Sequence, residues 1–356
     1  MTAHARISST DHVLAEVRNQ IGYLTLNRPA GLNALTLDMV RSLQQALDAW
    51  AADPQVQAVV LRGEGPKGFC AGGDIRSLYD SFKAGSSLHE EFFVEEYALD
   101  LCIHHYPKPT LVLMDGFTLG GGMGLAQGAD LRVVTERSRL GMPETAIGYF
   151  PDVGGSYFLS RVPGELGTYL GVSGCQIQAA DALYCGLANW YLSSDKLAQL
   201  DQALDQLSFG QHPLKDLQGA LARLGTQVLA DAPLAKLRPV IDHYFAQADL
   251  ASIIEQLRTV RIGDSQAWAL ATADLLQSRS PLAMAVTLEM LRRGRKLGLE
   301  ACFAMELHLD RQWFAHGDII EGVRALIIDK DKQPRWNPPT LAELAQARVD
   351  QFFEGL

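Results

Sequence analysis

Phe69-Cys70-Ala71-Gly72-Gly73-Asp74 and Leu119-Gly120-Gly121-Gly122-Met123-Gly124 are the stretches whose reading decides the fold, because each stands between a strand pattern and a helix pattern. Val56 to Leu61 is a short β-branched run and Thr110 to Met114 is another, and both stop shortly before a glycine turn. Helical stretches follow, Ile75 to Lys83 in the first case and Gly122 to Gln127 in the second. Strand, glycine turn and helix in repeated order predict an α/β core of β-β-α units.

Glycines at such turns let the backbone come close to a ligand, and the unsatisfied N–H groups at a helix start carry partial positive charge. The ligand is therefore an anion: a phosphate, a dinucleotide pyrophosphate, or the oxyanion that develops on a carbonyl in acyl chemistry. A Walker loop needs Gly-Lys-Ser/Thr at its end, and neither turn has it. Gly122-x-Gly124-x-x-x-Gly128 misses the dinucleotide spacing by one residue. A single turn of this kind is more simply a device for tight packing of helix on strand. Two of them fit one N–H from each given to a shared oxyanion.

Gly141-Met142-Pro143-Glu144 and Phe150-Pro151-Asp152-Val153-Gly154-Gly155 follow soon after and add two carboxylates. Pro143, Gly148, Pro151 and Gly154 break any long helix between Glu144 and Asp152, so the chain can fold back and bring the two acids together. Two carboxylates in one site push their pKa values apart, which leaves one ionised and one protonated. Met or Pro neighbours alone do not decide this, since lone acids more often cap helices and turns.

These segments, with Asn27-Arg28-Pro29 and Leu32-Asn33-Ala34-Leu35, resemble the crotonase (enoyl-CoA hydratase/isomerase) superfamily. Within it, Phe92-Phe93-Val94-Glu95-Glu96-Tyr97, Met142 to Gly148, Phe150 to Ser156 and the C-terminal Gly317 to Ala325 resemble the 3-hydroxyisobutyryl-CoA hydrolases. The resemblance runs from about Val13 to Pro338. It implies a crotonase-like spiral of repeated β-β-α units with a helical C-terminal part. It assigns the oxyanion-hole N–H groups to Gly73 and Gly121. Hydratases of the superfamily carry one catalytic glutamate where this chain has Gly124, whereas the hydrolase subgroup uses the acids that stand here as Glu144 and Asp152. Glu96 is implied as a pocket residue near the acyl group, and Arg28, Lys67, Ala71, Gly73 and Asp74 as neighbours of coenzyme A.

The activity so implied is hydrolysis of 3-hydroxyisobutyryl-CoA to 3-hydroxyisobutyrate and coenzyme A, as in valine breakdown. Glu144 either activates water or attacks the carbonyl, and Asp152 positions water or protonates the departing thiolate. Hydration or isomerisation of an enoyl-CoA, cleavage of another acyl-CoA, and acyl-CoA binding without turnover are the alternatives. The partner is a small acyl-CoA, a homo-oligomer is left open, and no cofactor is expected beyond the coenzyme A of the substrate.

Composition bounds the rest. A net charge of −10 argues against nucleic acid and anionic membrane surfaces as partners. Five cysteines without a C-x-x-C spacing, and histidines without H-E-x-x-H, give neither a disulfide framework nor a metal motif. Met1 to Asp11 has no apolar targeting core, so a cytoplasmic location is expected. The chain reads as an α/β core over 13–192 and a helical region over 193–356 that completes the site. In the latter, Asp195 to Leu207, Leu214 to Leu224, Ile253 to Arg258, Asp264 to Gln277, Pro281 to Arg295 and Leu299 to Phe314 carry helical apolar spacing.

Overall fold

Each β-branched run becomes a long strand, and each glycine-rich stretch follows a short one. The structure, a computed structural model, describes residues 11–225, 229, 231–260 and 265–356. The chain opens with a hairpin of β1 (Val13–Arg18) and β2 (Ile21–Leu26). Its two-residue turn holds Asn19 at φ 48° and Gln20 at φ 62°, the left-handed pair that matches strand twist, and the Asn19 amide donates to the carbonyls of Leu204 and Leu207. α1 (Leu37–Ala51) follows, capped by Thr36, whose side chain accepts from the Met39 N–H.

Three β-β passes then repeat one arrangement. β3 (Ala58–Gly63), β5 (Thr110–Met114) and β7 (Leu131–Val134) join one sheet in the order β1-β2-β3-β5-β7-β9, with β9 at Trp190–Tyr191. All of its pairings after the hairpin are parallel. The short strands β4 (Gly68–Cys70), β6 (Phe117–Leu119) and β8 (Arg139–Gly141) form a second sheet in the order β4-β6-β8. Parallel strands are covered on both faces, which is why β2 and β5 are buried along their whole length and read as continuous apolar runs.

The helices of the passes are α2 (Ile75–Ala84), α3 (Leu88–His104) and α4 (Gly121–Gln127). α5 (Gly155–Phe158), α6 (Leu166–Ser173) and α7 (Ala179–Tyr184) come next, then α8 (Leu197–Asp205) and α9 (Pro213–Arg223). The remainder is helical: α10 (Pro233–Phe245), α11 (Leu250–Thr259), α12 (Gln266–Ser278), α13 (Pro281–Gly294), α14 (Leu299–His316), α15 (Ile319–Val323) and α16 (Gln346–Gln351). The expected helix start at Asp264 lies outside the described residues. No helix among the described residues is long and apolar enough to cross a membrane.

The chain divides into two units. One comprises Met1–Asp74, Ala98–Leu140 and Ile177–Ala232; the other comprises Ile75–Tyr97, Gly141–Gln176 and Pro233–Leu356. In the first, Ile21, Tyr23, Val60, Leu111 and Val133 of the larger sheet pack with Leu200 and Leu204 of α8 and Leu217 and Leu221 of α9. Each such leucine, fully buried, contributes about 2 kcal/mol. In the second, α13 lies along α6, and Ser280 caps α13 by accepting from the Ala283 N–H.

One glycine shows how closely the short-strand layer is built. A methyl group on Gly122 would stand 2.3 Å from the Cys70 carbonyl oxygen and 2.9 Å from the Cys70 Cβ. Backbone cannot yield there as a side chain tip would, so Gly122→Ala is expected to cost about 2 kcal/mol. A thermal melt unchanged by that substitution would show that β4 and α4 do not pack as described.

Candidate active site

The third β-β pass departs from the first two at the place where they make their glycine turns. After β8 the chain reads Gly141-Met142-Pro143 and enters a single tight 3-10 turn, Glu144–Ile147. Glu144 thus occupies the position after the short strand that glycines hold in the other passes. The turn is fixed from both ends. Thr145 donates its hydroxyl to the Val172 carbonyl at 3.1 Å and its own carbonyl accepts from the Ser280 N–H at 3.3 Å. Gly148 closes the turn at φ +71°, with Trp313 Nε1 donating to its carbonyl at 2.8 Å.

Asp152 is presented by a second, strained turn. Val153 has φ +50°, a region that β-branched residues avoid, and Gly154 follows at φ +84°. The carboxylate of Glu306 on α14 holds this turn in place. Its Oε2 accepts from the Gly154 N–H at 2.7 Å, and its Oε1 accepts from the Ser156 N–H at 2.8 Å and from the Ser156 hydroxyl. A buried acid accepting three hydrogen bonds at the start of α5 anchors an otherwise unfavourable backbone.

Unit two brings Glu144, Asp152 and Glu96 together as buried acids, at 6%, 5% and 2% exposure. Glu96 lies on the inner face of α3 with Phe92, Phe93 and Tyr97, so it is no solvated helix residue. Among the described residues Glu144 Oε2 and Glu96 Oε1 have no hydrogen-bond partner. Unpaired acceptors of this kind are costly unless protonated or given a donor by a ligand. Asp152 differs, because Tyr97 donates its hydroxyl to Oδ2 at 2.9 Å.

This asymmetry orders the ionisations. Burial raises the Glu144 carboxyl well above its ordinary range, and the Asp152 charge adds to it. Burial also raises Asp152, to about 7, but the Tyr97 hydroxyl and the Asp152 backbone N–H favour its charged form and pull it back. Glu96 is raised by burial first and then by the charges of Asp152, Asp310 and Glu144. Asp152, whose charged form is given donors, therefore ionises more readily than Glu144. Two carboxylates in one dry site resist ionising together, so a charge on Asp152 holds the Glu144 proton in place.

Unit one carries the glycine turns. Leu35 donates its N–H to the Gly72 carbonyl at 2.8 Å and accepts from the Asp74 N–H at 2.7 Å, a parallel bridge centred on Gly73. In that pattern the residues on either side of Gly73 make both bonds, so the N–H of Gly73 itself points to the opposite side. Gly120, at φ +51°, turns the chain into α4, and Gly121 is the first helical residue, where N–H groups have no helical acceptor. The two turns are neighbours, since a methyl group on Gly72 would lie 3.4 Å from the Leu119 carbonyl oxygen and 3.7 Å from the Gly121 nitrogen. Gly124 is buried within α4 and offers no carboxylate.

Of the expected coenzyme A neighbours, Ala71, Gly73 and Asp74 line the first turn, half-buried. Arg28 donates to Asp74 Oδ2 at 2.9 Å and to the Ala34 carbonyl, so its fork already braces that turn from within. Lys67 is exposed on the loop before β4.

Sequence reasoning passed over Tyr97, Tyr149, Glu306 and Asp310. A signal for two of them was available: Glu306 and Asp310 stand four apart on the apolar stripe of α14, with Phe303, Leu309 and Trp313. Acids on a buried stripe need a reason, and here it is the anchoring of the Asp152 turn and the bond from Tyr149 to Asp310 at 2.7 Å.

A layer of short strands carrying glycine turns, with two buried acids in the third pass, defines a crotonase-fold chain. The chain belongs to the enoyl-CoA hydratase/isomerase family, whose model matches residues 21–353. It is similar to the mitochondrial 3-hydroxyisobutyryl-CoA hydrolase of Danio rerio, 38% identical over 97% of this chain and 90% of that one. The mitochondrial 3-hydroxyisobutyryl-CoA hydrolase of Homo sapiens is 36% identical over 99% and 92%. Among solved structures, a carnitinyl-CoA dehydratase from Mycobacterium thermoresistibile superposes with a TM-score of 0.89 at 38% identity, covering 98% of this chain and 97% of that one.

Proposed function

We propose that this chain hydrolyses a short branched 3-hydroxyacyl-CoA, with 3-hydroxyisobutyryl-CoA as its substrate. The observation that carries the reading is the buried pair Glu144 and Asp152, both raised by burial, in a family member whose Gly124 lacks the acid that water addition needs. The names of the Danio rerio and Homo sapiens relatives support the same substrate.

In the proposed reaction the N–H groups of Gly73 and Gly121 receive the thioester oxygen and stabilise the tetrahedral oxyanion, each donor contributing about 3 kcal/mol. In the productive form Glu144 is ionised and Asp152 protonated, the less populated arrangement of a pair in which Asp152 ionises more readily. Glu144 takes a proton from water, the hydroxide adds to the carbonyl, and collapse expels the thiolate, which takes the proton of Asp152. The products are the free acid and coenzyme A. Direct attack by Glu144 to give a mixed anhydride uses the same groups, and acid quench during turnover would show the added mass of an acyl group on the protein in that route alone. Glu96 accepts a hydrogen bond from the substrate hydroxyl, which would satisfy its unpartnered Oε1. Ala71, Asp74, Arg28 and Lys67 flank the coenzyme A moiety, and no separate cofactor enters.

Water addition is the second reading, favoured by the name of the Mycobacterium thermoresistibile protein. Following free thiol and enoyl absorbance together separates the two. The expected result is thiol release from 3-hydroxyisobutyryl-CoA with no hydration of crotonyl-CoA or methacrylyl-CoA; fast hydration without thioester cleavage would overturn the proposal. A cytoplasmic location and assembly of copies are carried forward as expectations of the sequence, to be read by cell fractionation and light scattering. The named vertebrate relatives are themselves mitochondrial.

A further inference from the structure

Arg279, between α12 and α13, carries a charge that its neighbours leave unanswered. The residue is half-buried, and its Nε donates to the Ser173 carbonyl at 2.9 Å. Among the described residues no carboxylate pairs with it. Burial holds the guanidinium below its ordinary value, against a smaller opposing effect of Cys175. Its two terminal nitrogens make no hydrogen bond among the described residues, yet both reach open space rather than being sealed in the interior as the Glu96 and Glu144 oxygens are. Other arginines of the same unit are answered. Arg324 holds Glu321, Asp329 and Asp331, and Arg295 holds Glu165.

Arg279 lines a cavity of about 740 Å³, a size at which proteins hold small organic ligands. Its walls are apolar: Ile254 from α11, Leu276 from α12, Pro281 and Met284 from α13, and Leu341 from the C-terminal segment. The lining residues all belong to the second unit, and Glu144, Asp152 and Glu96 are not among them. Two further charged residues line it, Glu255 and Arg258, both exposed. Arg258 is already taken, since it donates to Asp274 at 2.7 Å and to Gln277 at 2.8 Å.

We propose that this cavity binds an aliphatic monocarboxylate, its head on the Arg279 guanidinium and its tail along Ile254, Leu276, Met284 and Leu341. The planar edge of a guanidinium matches the two oxygens of a carboxylate, and a cation withdrawn from water gains most from such a partner. The apolar walls ask for a hydrocarbon tail behind that head. A single unanswered cation with Glu255 nearby fits one negative charge and disfavours a polyanion such as coenzyme A. The site is separate from the acids of the proposed reaction, so it stands whatever thioester they cleave.

Calorimetric titration of the full chain with octanoate tests the site. One octanoate should bind per chain, and 1-octanol and octylammonium, which keep the tail but lose or invert the charge, should bind about tenfold more weakly or worse. Arg279→Met keeps the stem without the charge and should weaken octanoate by about tenfold or more, whereas Arg258→Met should weaken it by less than about threefold. Octanoate should also raise the melting temperature of wild type and of Arg258→Met but not of Arg279→Met. Absence of octanoate binding, octanol binding as tightly as octanoate, or wild-type affinity in a folded Arg279→Met protein would each overturn the proposal. The last of these is also what an octanoate lodged beside Glu144 would give. Should Arg279→Met fail to fold, Ala342→Glu decides, because it sets a like charge at an exposed position of the cavity lining. It should weaken octanoate by about tenfold, and unchanged affinity would overturn the site. No arm of the test involves a thioester, so its failure is distinct from failure of the hydrolase reading.

Discussion

Glu144→Gln is expected to abolish thiol release to within about a thousandth of the wild-type rate, with KM for the acyl-CoA little changed. The amide keeps the size and the place in the Glu144–Ile147 turn, yet it can neither take a proton from water nor attack a carbonyl. The same substitution should leave the fold intact or firmer. Glu144 is 6% exposed, its Oε2 lacks a partner, and burial raises its carboxyl. A group whose folded pKa lies above its unfolded value contributes its stability in full below the unfolded value and loses it as pH rises through the folded one. The variant should therefore lose less stability than wild type as pH is raised beyond the ordinary carboxylate range. Melting curves at several pH values, read beside single-turnover rates, test both halves. Turnover close to wild type in a folded Glu144→Gln protein would remove Glu144 from the chemistry.

What was legible in advance follows the range of the interactions. β5 stands where the β-branched run places it, Thr110–Met114, and α2 and α4 begin within one residue of the expected starts, because glycine and branched side chains act locally. The helices α8, α9, α11, α13 and α14 follow the apolar spacing for the same reason. α10 escaped notice because Pro239 sits inside it, and a proline in mid-pattern argues against a helix that tertiary packing nonetheless sustains.

The candidate site was legible by motif for Glu144, Asp152, Gly73 and Gly121. Its supports were not. Tyr97 reaches Asp152 across 55 positions, Glu306 reaches Gly154 across 152, and Asp310 reaches Tyr149 across 161. No local pattern encodes such pairings; only the fold that returns α14 to the Asp152 turn creates them. Arg28 shows the same limit: its charge beside the first glycine turn reads as a phosphate neighbour, and the bonds of its fork to Asp74 and Ala34 are visible only in the structure.

The pH dependence of the wild-type reaction is the second large effect, and Asp152→Asn is its control. With both carboxyls protonated neither can act as base, and with both ionised neither can act as acid, so only the form holding one shared proton turns over. The first proton leaves at about 7, from Asp152, because Tyr97 supports its charge; kcat/KM should rise with pH through that value. The second departure belongs to Glu144, raised further by burial and by the new Asp152 charge, and it sets the falling limb at higher pH. Asp152→Asn removes the group that titrates first. The rising limb at about 7 should vanish, and Glu144, freed of a neighbouring charge, should titrate lower than in wild type. The rate should also fall by about a hundredfold or more, since the amide cannot release a proton to the thiolate. If Asp152→Asn kept both the rate and the limb at about 7, the titrating acid would be another group, and the reading of Asp152 as the partner of Glu144 would fail.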